Sequence, residues 1–231
     1  METIFFKKLF DLLNGSHIRE LKEQLVEMNV VDIAEFMTEL EGEKQLLVFR
    51  ILPKDLSAEV FAYLDPDIQQ SIVEYSSDKE LGYLVEELYV DDAVDFLEEV
   101  PAGVVKRVLA SASTETRNVI NKFLQYPGDS AGSVMTIEYV ELHDRITASD
   151  AIGVIRKTGL DKETIYTCYV VDDKLRLVGI LPLRRLLLAH ENALVRDVMS
   201  DDQQIISVHT LEDQETVAGI AKKYDLLSVP V

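Results

Sequence analysis

The apolar residues of this chain keep one period up to about residue 125 and a different one after about residue 136. Between them lies Tyr126-Pro127-Gly128-Asp129-Ser130-Ala131-Gly132-Ser133. Upstream the spacing is helical throughout, with no alternating stretch. Downstream, short alternating or continuous apolar runs are interleaved with helical ones. A single layered architecture does not accommodate such a switch, and clustered Pro, Gly and Ser mark the place where a chain passes from one body to another. The reading is an α region followed by an α/β region, at 1–125 and 137–231, with 126–136 as linker. The 231 residues suffice for one or two cores.

In the first part helix follows helix. Ser16 is expected to cap a helix carrying Ile18, Leu21, Leu25 and Met28. Ile33, Phe36, Met37 and Leu40 form the next stripe. Pro53 ends the following one, and Ser57 is read as the cap of a short helix with Val60, Phe61 and Leu64. Asp65-Pro66 is a helix start, with Pro at the first helical position. Helices are expected over 78–88, 91–100 and from Pro101 to about Leu124. Ala34-Glu35-Phe36, Glu59-Val60-Phe61 and Val94-Asp95-Phe96 repeat loosely at similar helix positions. Helices this short bury a face only by stacking on neighbours, so a superhelix of helix pairs is predicted.

The second part reads as strand 139–142, helix 148–157, a hairpin of strands 164–171 and 175–181 around Asp172-Asp173-Lys174, and helix 183–189. The order β-α-β-β-α then restarts. Val134-Met135-Thr136 recurs as Val198-Met199-Ser200, followed by a predicted strand 205–208, a helix 213–224 and the opening of a strand at 227–231. The second copy lacks a hairpin partner and closing helix, so the sequence reads as a piece of something longer.

Charge narrows the function. The net charge is -19, from 42 acidic and 23 basic residues. Such a surface repels nucleic acid and anionic lipid and attracts cations, so no nucleic-acid partner is expected. The single cysteine, Cys168, lies in a predicted buried strand, which leaves no disulfide or zinc framework and fits a reducing compartment. No run of about 18 apolar residues occurs. His17, His143, His190 and His209 are scattered. No phosphate loop, nucleophile elbow or zincin motif is present, and no enzyme activity is expected.

Two tandem β-α-β-β-α units, each opened by Val-Met-Thr/Ser, resemble a CBS-domain pair, the second copy partial. An acidic helical region followed by Asp129-Ser130-Ala131-Gly132-Ser133-Val134-Met135-Thr136, Glu163-Thr164-Ile165-Tyr166 and Tyr169-Val170-Val171-Asp172 resembles the MgtE family of magnesium transporters over essentially the whole chain. The resemblance implies a helical N domain over 1–125, a first CBS domain over 137–194 and a partial second one over 195–231. It implies a homodimer formed through the CBS domains, on the cytoplasmic side of the cell membrane, joined to a transmembrane pore of the same protein. Mg2+ bound between the N domain and the CBS domains is then expected to favour the closed state.

Magnesium takes hard oxygen ligands and retains several waters, so a few carboxylates from two bodies suffice. The resemblance places an acidic patch of the helical domain at Val90-Asp91-Asp92-Ala93-Val94-Asp95, where Asp91 and Asp95 share a helix face at i, i+4. Helix capping also accounts for Asp91. The resemblance adds Asp213, Glu215 and Asp225 from the second CBS unit. Asp225 follows its helix, where an acid is unfavourable to the dipole. Glu59 joins them, although a solvated helix face accounts for it equally well. Backbone carbonyls near Gly132 and Ser133 are further oxygen donors.

CBS pairs of this kind also take adenine nucleotides through a Ser or Thr and, three residues on, an Asp that holds the ribose. Here Pro182 and Arg185 stand at those places, and Thr167 at an aromatic position. Proline offers no hydroxyl and arginine accepts no hydrogen bond. Two other readings compete with magnesium sensing. A soluble adenine-nucleotide-sensing CBS regulator requires that ribose-binding Asp. A pure helical scaffold predicts indifference to magnesium.

Overall fold

In a computed structural model, which describes residues 2–201 and 205–231, ten helices precede the first strand. They are α1 (Glu2–Asn14), α2 (Ile18–Val26), α3 (Val30–Thr38), α4 (Glu43–Ile51), α5 (Lys54–Ala62), α6 (Pro66–Tyr75), α7 (Asp78–Glu87), α8 (Val90–Glu99), α9 (Ala102–Ser111) and α10 (Thr114–Phe123). Asn29 caps α3 by accepting from the Val31 amide. Ser77 and Glu80 form a reciprocal capping box on α7. Pro66 opens α6 at its first position, as the sequence predicts.

Three local expectations are corrected. Ser16 is not a cap; it takes a left-handed conformation (φ 58), and His17 holds the cap position of α2. Ser57 lies inside α5 and donates its hydroxyl to the Lys54 carbonyl. The segment expected as one helix from Pro101 is two, because the chain turns at Ala112-Ser113. There the Glu86 carboxylate accepts from the Ser113 amide and the Thr116 hydroxyl.

Several helices pack on the helix two further along. α3 lies on α5, α5 on α7, α7 on α9, and α4 on α6. This is the contact pattern of stacked helix pairs, each burying the stripe its neighbour exposes. Phe36, Phe61, Ile72, Leu81, Phe96 and Val108 form the spine of that core, with Phe61 and Phe96 edge-to-face at 5.1 Å. Arg107 closes the carboxyl end of α6, donating to the Val73, Glu74 and Ser76 carbonyls and pairing with Asp78.

The second half contains β1 (Val140–His143), α11 (Ala148–Thr158), a 3₁₀ turn (Gly159–Asp161), β2 (Thr167–Val171), β3 (Leu177–Pro182), α12 (Leu183–Leu187), α13 (Val195–Val198), β4 (Ser200–Asp201) and α14 (Gln214–Tyr224). The sheet order is β1-β2-β3-β4. β1 is parallel to β2, and β2-β3 and β3-β4 are antiparallel. This is one β-α-β-β-α unit and the opening of another. Val140, Leu142, Ala151, Cys168, Val170, Leu181 and Val195 form its core. Burial raises the Cys168 thiol to about 11, which suits an inert core residue. In the β2–β3 turn the Asp172 carboxylate accepts from the Lys174 and Arg176 amides and the Arg176 guanidinium. These bonds, those from Arg176 foremost, hold its carboxyl down to about 2. The strands expected at 205–208 and 227–231 are not formed; those residues take no regular secondary structure and are joined where the Val208 amide donates to the Pro230 carbonyl.

By internal contacts the chain divides into two compact units, Met1–Leu88 with Asp92–Lys122, and Tyr89–Asp91 with Phe123–Val231.

Candidate metal-binding carboxylates

The acidic run of α8 is placed by burial. Val90, Ala93, Val94, Phe96 and Leu97 fill the inward face, so Asp95, Glu98 and Glu99 are left to solvent. The helix starts at Val90. Asp91 therefore sits in the first turn, not at the cap, where its charge meets the positive end of the helix dipole. Asp95 stands one turn further on. Desolvation, followed by the like charge of Glu99 at i+4, pushes its carboxyl above the ordinary aspartate range. An ionised Asp95 is thus held at some cost, which a nearby dication would relieve. Glu59 is exposed on α5, with Ala58 and Val60 buried on either side.

On α14, Asp213 is the N-cap. Its Oδ1 accepts from the Glu215 amide at 2.9 Å and the Thr216 amide at 3.4 Å. Glu215 is exposed in the first turn. Asp225 has a backbone role that its place after the helix concealed. It is the left-handed C-cap (φ 53, ψ 46), its amide donating to the Ala221 carbonyl. Aspartate tolerates this conformation better than most residues other than glycine, so the fold alone accounts for an Asp there. Among the described residues no three His, Cys, Asp or Glu side chains converge into a ready-made metal cage. The carboxylates are hard donors suited to a hydrated magnesium ion, and they are presented singly or in pairs on helix ends and faces.

The residues read as linker are bonded to the start of α14. The Ala131 amide donates to the Glu212 carbonyl (2.7 Å), the Gly132 amide to the Thr210 carbonyl (2.8 Å) and the Gln214 amide to the Asp129 carbonyl (2.9 Å). The Gln214 side chain donates to Asp129 Oδ1 (2.9 Å), and Ser130 bridges Asp213 in antiparallel fashion. A Cβ on Gly132 would lie 2.6 Å from the Tyr126 ring and 2.9 Å from the Thr210 carbonyl oxygen, so this position has room only for glycine. The sequence marked these residues as a motif without revealing what they bind, because their partners lie some eighty positions away.

Of the histidines, His143 is flanked by Asp144 and Asp173, each at 3.0 Å, with Arg145 also paired to Asp173. This is an ion-pair group with its own cation.

A stack of helix pairs followed by one complete and one begun β-α-β-β-α unit, carrying acidic helix ends and faces, defines a chain of the helical-plus-CBS fold class. Residues 28–129 match the family described as the MgtE intracellular N domain. Magnesium transporter MgtE of Thermus thermophilus is 34% identical over 234 residues, covering 100% of this chain and 52% of that protein. MgtE of Enterococcus faecalis is 31% identical over 230 residues, covering 98% of this chain and 50% of that protein. The chain thus spans about half the length of these relatives. A crystal structure described as the cytosolic domain of the Mg2+ channel MgtE in complex with ATP superposes with TM-score 0.89 at 34% identity, covering 98% of this chain and 92% of that one. Another, the soluble part of a magnesium transporter, gives TM-score 0.93 at 27% identity, covering 100% and 90%. The chain belongs to the MgtE family. No helix among the described residues is long and apolar enough to cross a membrane.

Proposed function

We propose that this chain is the magnesium-sensing regulatory region of an MgtE-type transporter, acting on the cytoplasmic side of the membrane upon a pore domain of the same protein. Asp95 carries the reading: an acidic side chain on an exposed helix face whose ionisation is opposed both by desolvation and by Glu99. Magnesium, when bound, supplies two positive charges to carboxylates that otherwise repel. Asp91 and Asp95 hold it from the helical region, with Glu59 an auxiliary donor, and Asp213, Glu215 and Asp225 hold it from the CBS region. A cation held between the two regions favours the closed state; its loss frees them. Such a ligand-biased two-state element is what regulation by an ion requires. A homodimer through the CBS domains accords with the exposed Leu187, Leu188, Leu211 and Leu227 on this half of the chain.

Small-angle scattering tests the reading. Millimolar magnesium is expected to reduce the radius of gyration. Asp91→Ala with Asp95→Ala should blunt that response more than Glu98→Ala with Glu99→Ala. An unchanged radius favours the scaffold reading, and equal effects of the two pairs mean diffuse screening rather than defined sites.

At the half-site formed by β3 and α12 the residues lack the hydroxyl and the ribose-binding Asp of the nucleotide pattern. Pro182 ends β3 and caps α12 without a hydroxyl to offer. The Arg185 guanidinium donates to the Ser200 hydroxyl at 3.1 Å. A nucleotide-sensing regulator is accordingly not the favoured reading.

A further inference from the structure

The four residues Asp129–Gly132 are too heavily bonded to serve as a slack connection. Three backbone hydrogen bonds and one side-chain bond attach them to Thr210–Gln214. Ser130, Ala131 and Gly132 are buried. The segment they grip is the cap and first turn of α14, where Asp213 and Glu215 stand.

We propose that Asp129 and Gln214 are positioning residues for the α14 carboxylates: the strap they close fixes the cap of α14, and with it the orientation of Asp213 and Glu215 toward a cation. The inference rests on the magnesium-sensing reading and specifies how the sensor is kept in shape. Asp129 closes the strap at two atoms, its carbonyl taking the Gln214 amide and its Oδ1 the Gln214 carboxamide. It does so from a left-handed backbone conformation (φ 61), which aspartate and asparagine adopt more readily than other residues bearing a Cβ. Gln214 is the first residue of α14 and directly follows the Asp213 cap. A tug on the strap therefore reaches the capping carboxylate through one peptide unit. The role assigned to Asp129 is that of an acceptor, not of a charge.

That distinction sets the experiment. The purified chain is titrated with magnesium and followed by small-angle scattering, and hydrogen exchange is read at the Ala131, Gly132 and Gln214 amides. Asp129→Gly keeps the left-handed backbone and loses the side-chain acceptor, Gln214→Ala loses the side-chain donor, and Asp129→Asn keeps the side-chain acceptor without the charge. Both disrupting variants are expected to exchange faster at the strap and to need about three- to tenfold more magnesium, the scale of one hydrogen bond. Asp129→Asn is expected to restore both readouts. Faster exchange with an unmoved magnesium midpoint overturns the coupling. An Asp129→Asn that behaves like Asp129→Gly shows that charge is what counts, and also overturns it. A wild-type chain that ignores magnesium removes the sensing function and this inference together; a responsive wild type with unaffected variants removes this inference alone.

Discussion

At the residue scale the most telling side chain is Asp95. Its inward neighbours Val94 and Phe96 fix which way it faces, and Glu99 one turn away supplies the repulsion. Its carboxyl titrates higher in the folded chain than in the unfolded one. Its contribution to stability is therefore fully present below the ordinary aspartate range and is lost as pH rises through the raised value, leaving ionised Asp95 unfavourable at neutral pH. Asp95→Asn is expected to stabilise the metal-free chain by on the order of half a kcal/mol, given the screening of an exposed group. Millimolar magnesium should narrow or reverse that gain. Thermal melts with chelator and with magnesium measure both; a variant less stable than wild type in chelator contradicts the account. Asp95 was legible as a candidate from the family resemblance of its acidic run together with its spacing from Asp91. Its strain was not, because desolvation depends on which neighbours surround the helix.

At the element scale α14 shows how one residue can serve both backbone and ion. Asp213 and Asp225 begin and end it, as N-cap and left-handed C-cap. Alanine scanning therefore confounds helix stability with cation binding. Asp213→Ala is expected to cost about 1 kcal/mol as a lost cap, whereas Asp213→Asn keeps the cap and removes the charge. If Asp213 holds the cation, Asp213→Asn loses magnesium response with near wild-type denaturant stability, and a wild-type magnesium response in Asp213→Asn excludes a role for its charge. The sequence correctly set a helix near 213–224. It could not assign Asp225 its conformation, since a left-handed cap is recognised by where the last turn stops. The strap was likewise visible only as a Pro/Gly/Ser cluster and a family motif, with no sign of its partners. The same composition that signals a loose linker here meets the Thr210 and Glu212 carbonyls at hydrogen-bonding distance.

At the scale of the whole molecule the two halves obey different rules. The helical stack is built from helices one to three elements apart, and the α/β half joins residues far apart in sequence, as in β1 with β2 and Asp129 with Gln214. Ligands that bind the native state raise its melting temperature by mass action, so the chain's ligand is readable without knowing its site. Millimolar magnesium is expected to raise the midpoint, and millimolar ATP without magnesium to leave it unchanged, since Arg185 is engaged with Ser200 and Pro182 offers no donor. A clear rise with ATP alone would reinstate the nucleotide-sensing reading.

The sequence by itself determined the helical half, the β-α-β-β-α order and an acidic character suited to cations. Each of these is written in hydrophobic period, turn chemistry and charge, which act between near neighbours or by simple summation. Only the tertiary structure decided that Pro101 to Phe123 is two helices, that Asp225 turns left-handed, that Asp95 is strained and that Asp129–Gly132 are strapped to α14. Those outcomes depend on which distant backbone groups meet and which surfaces lose water, and neither is encoded in the spacing along the chain.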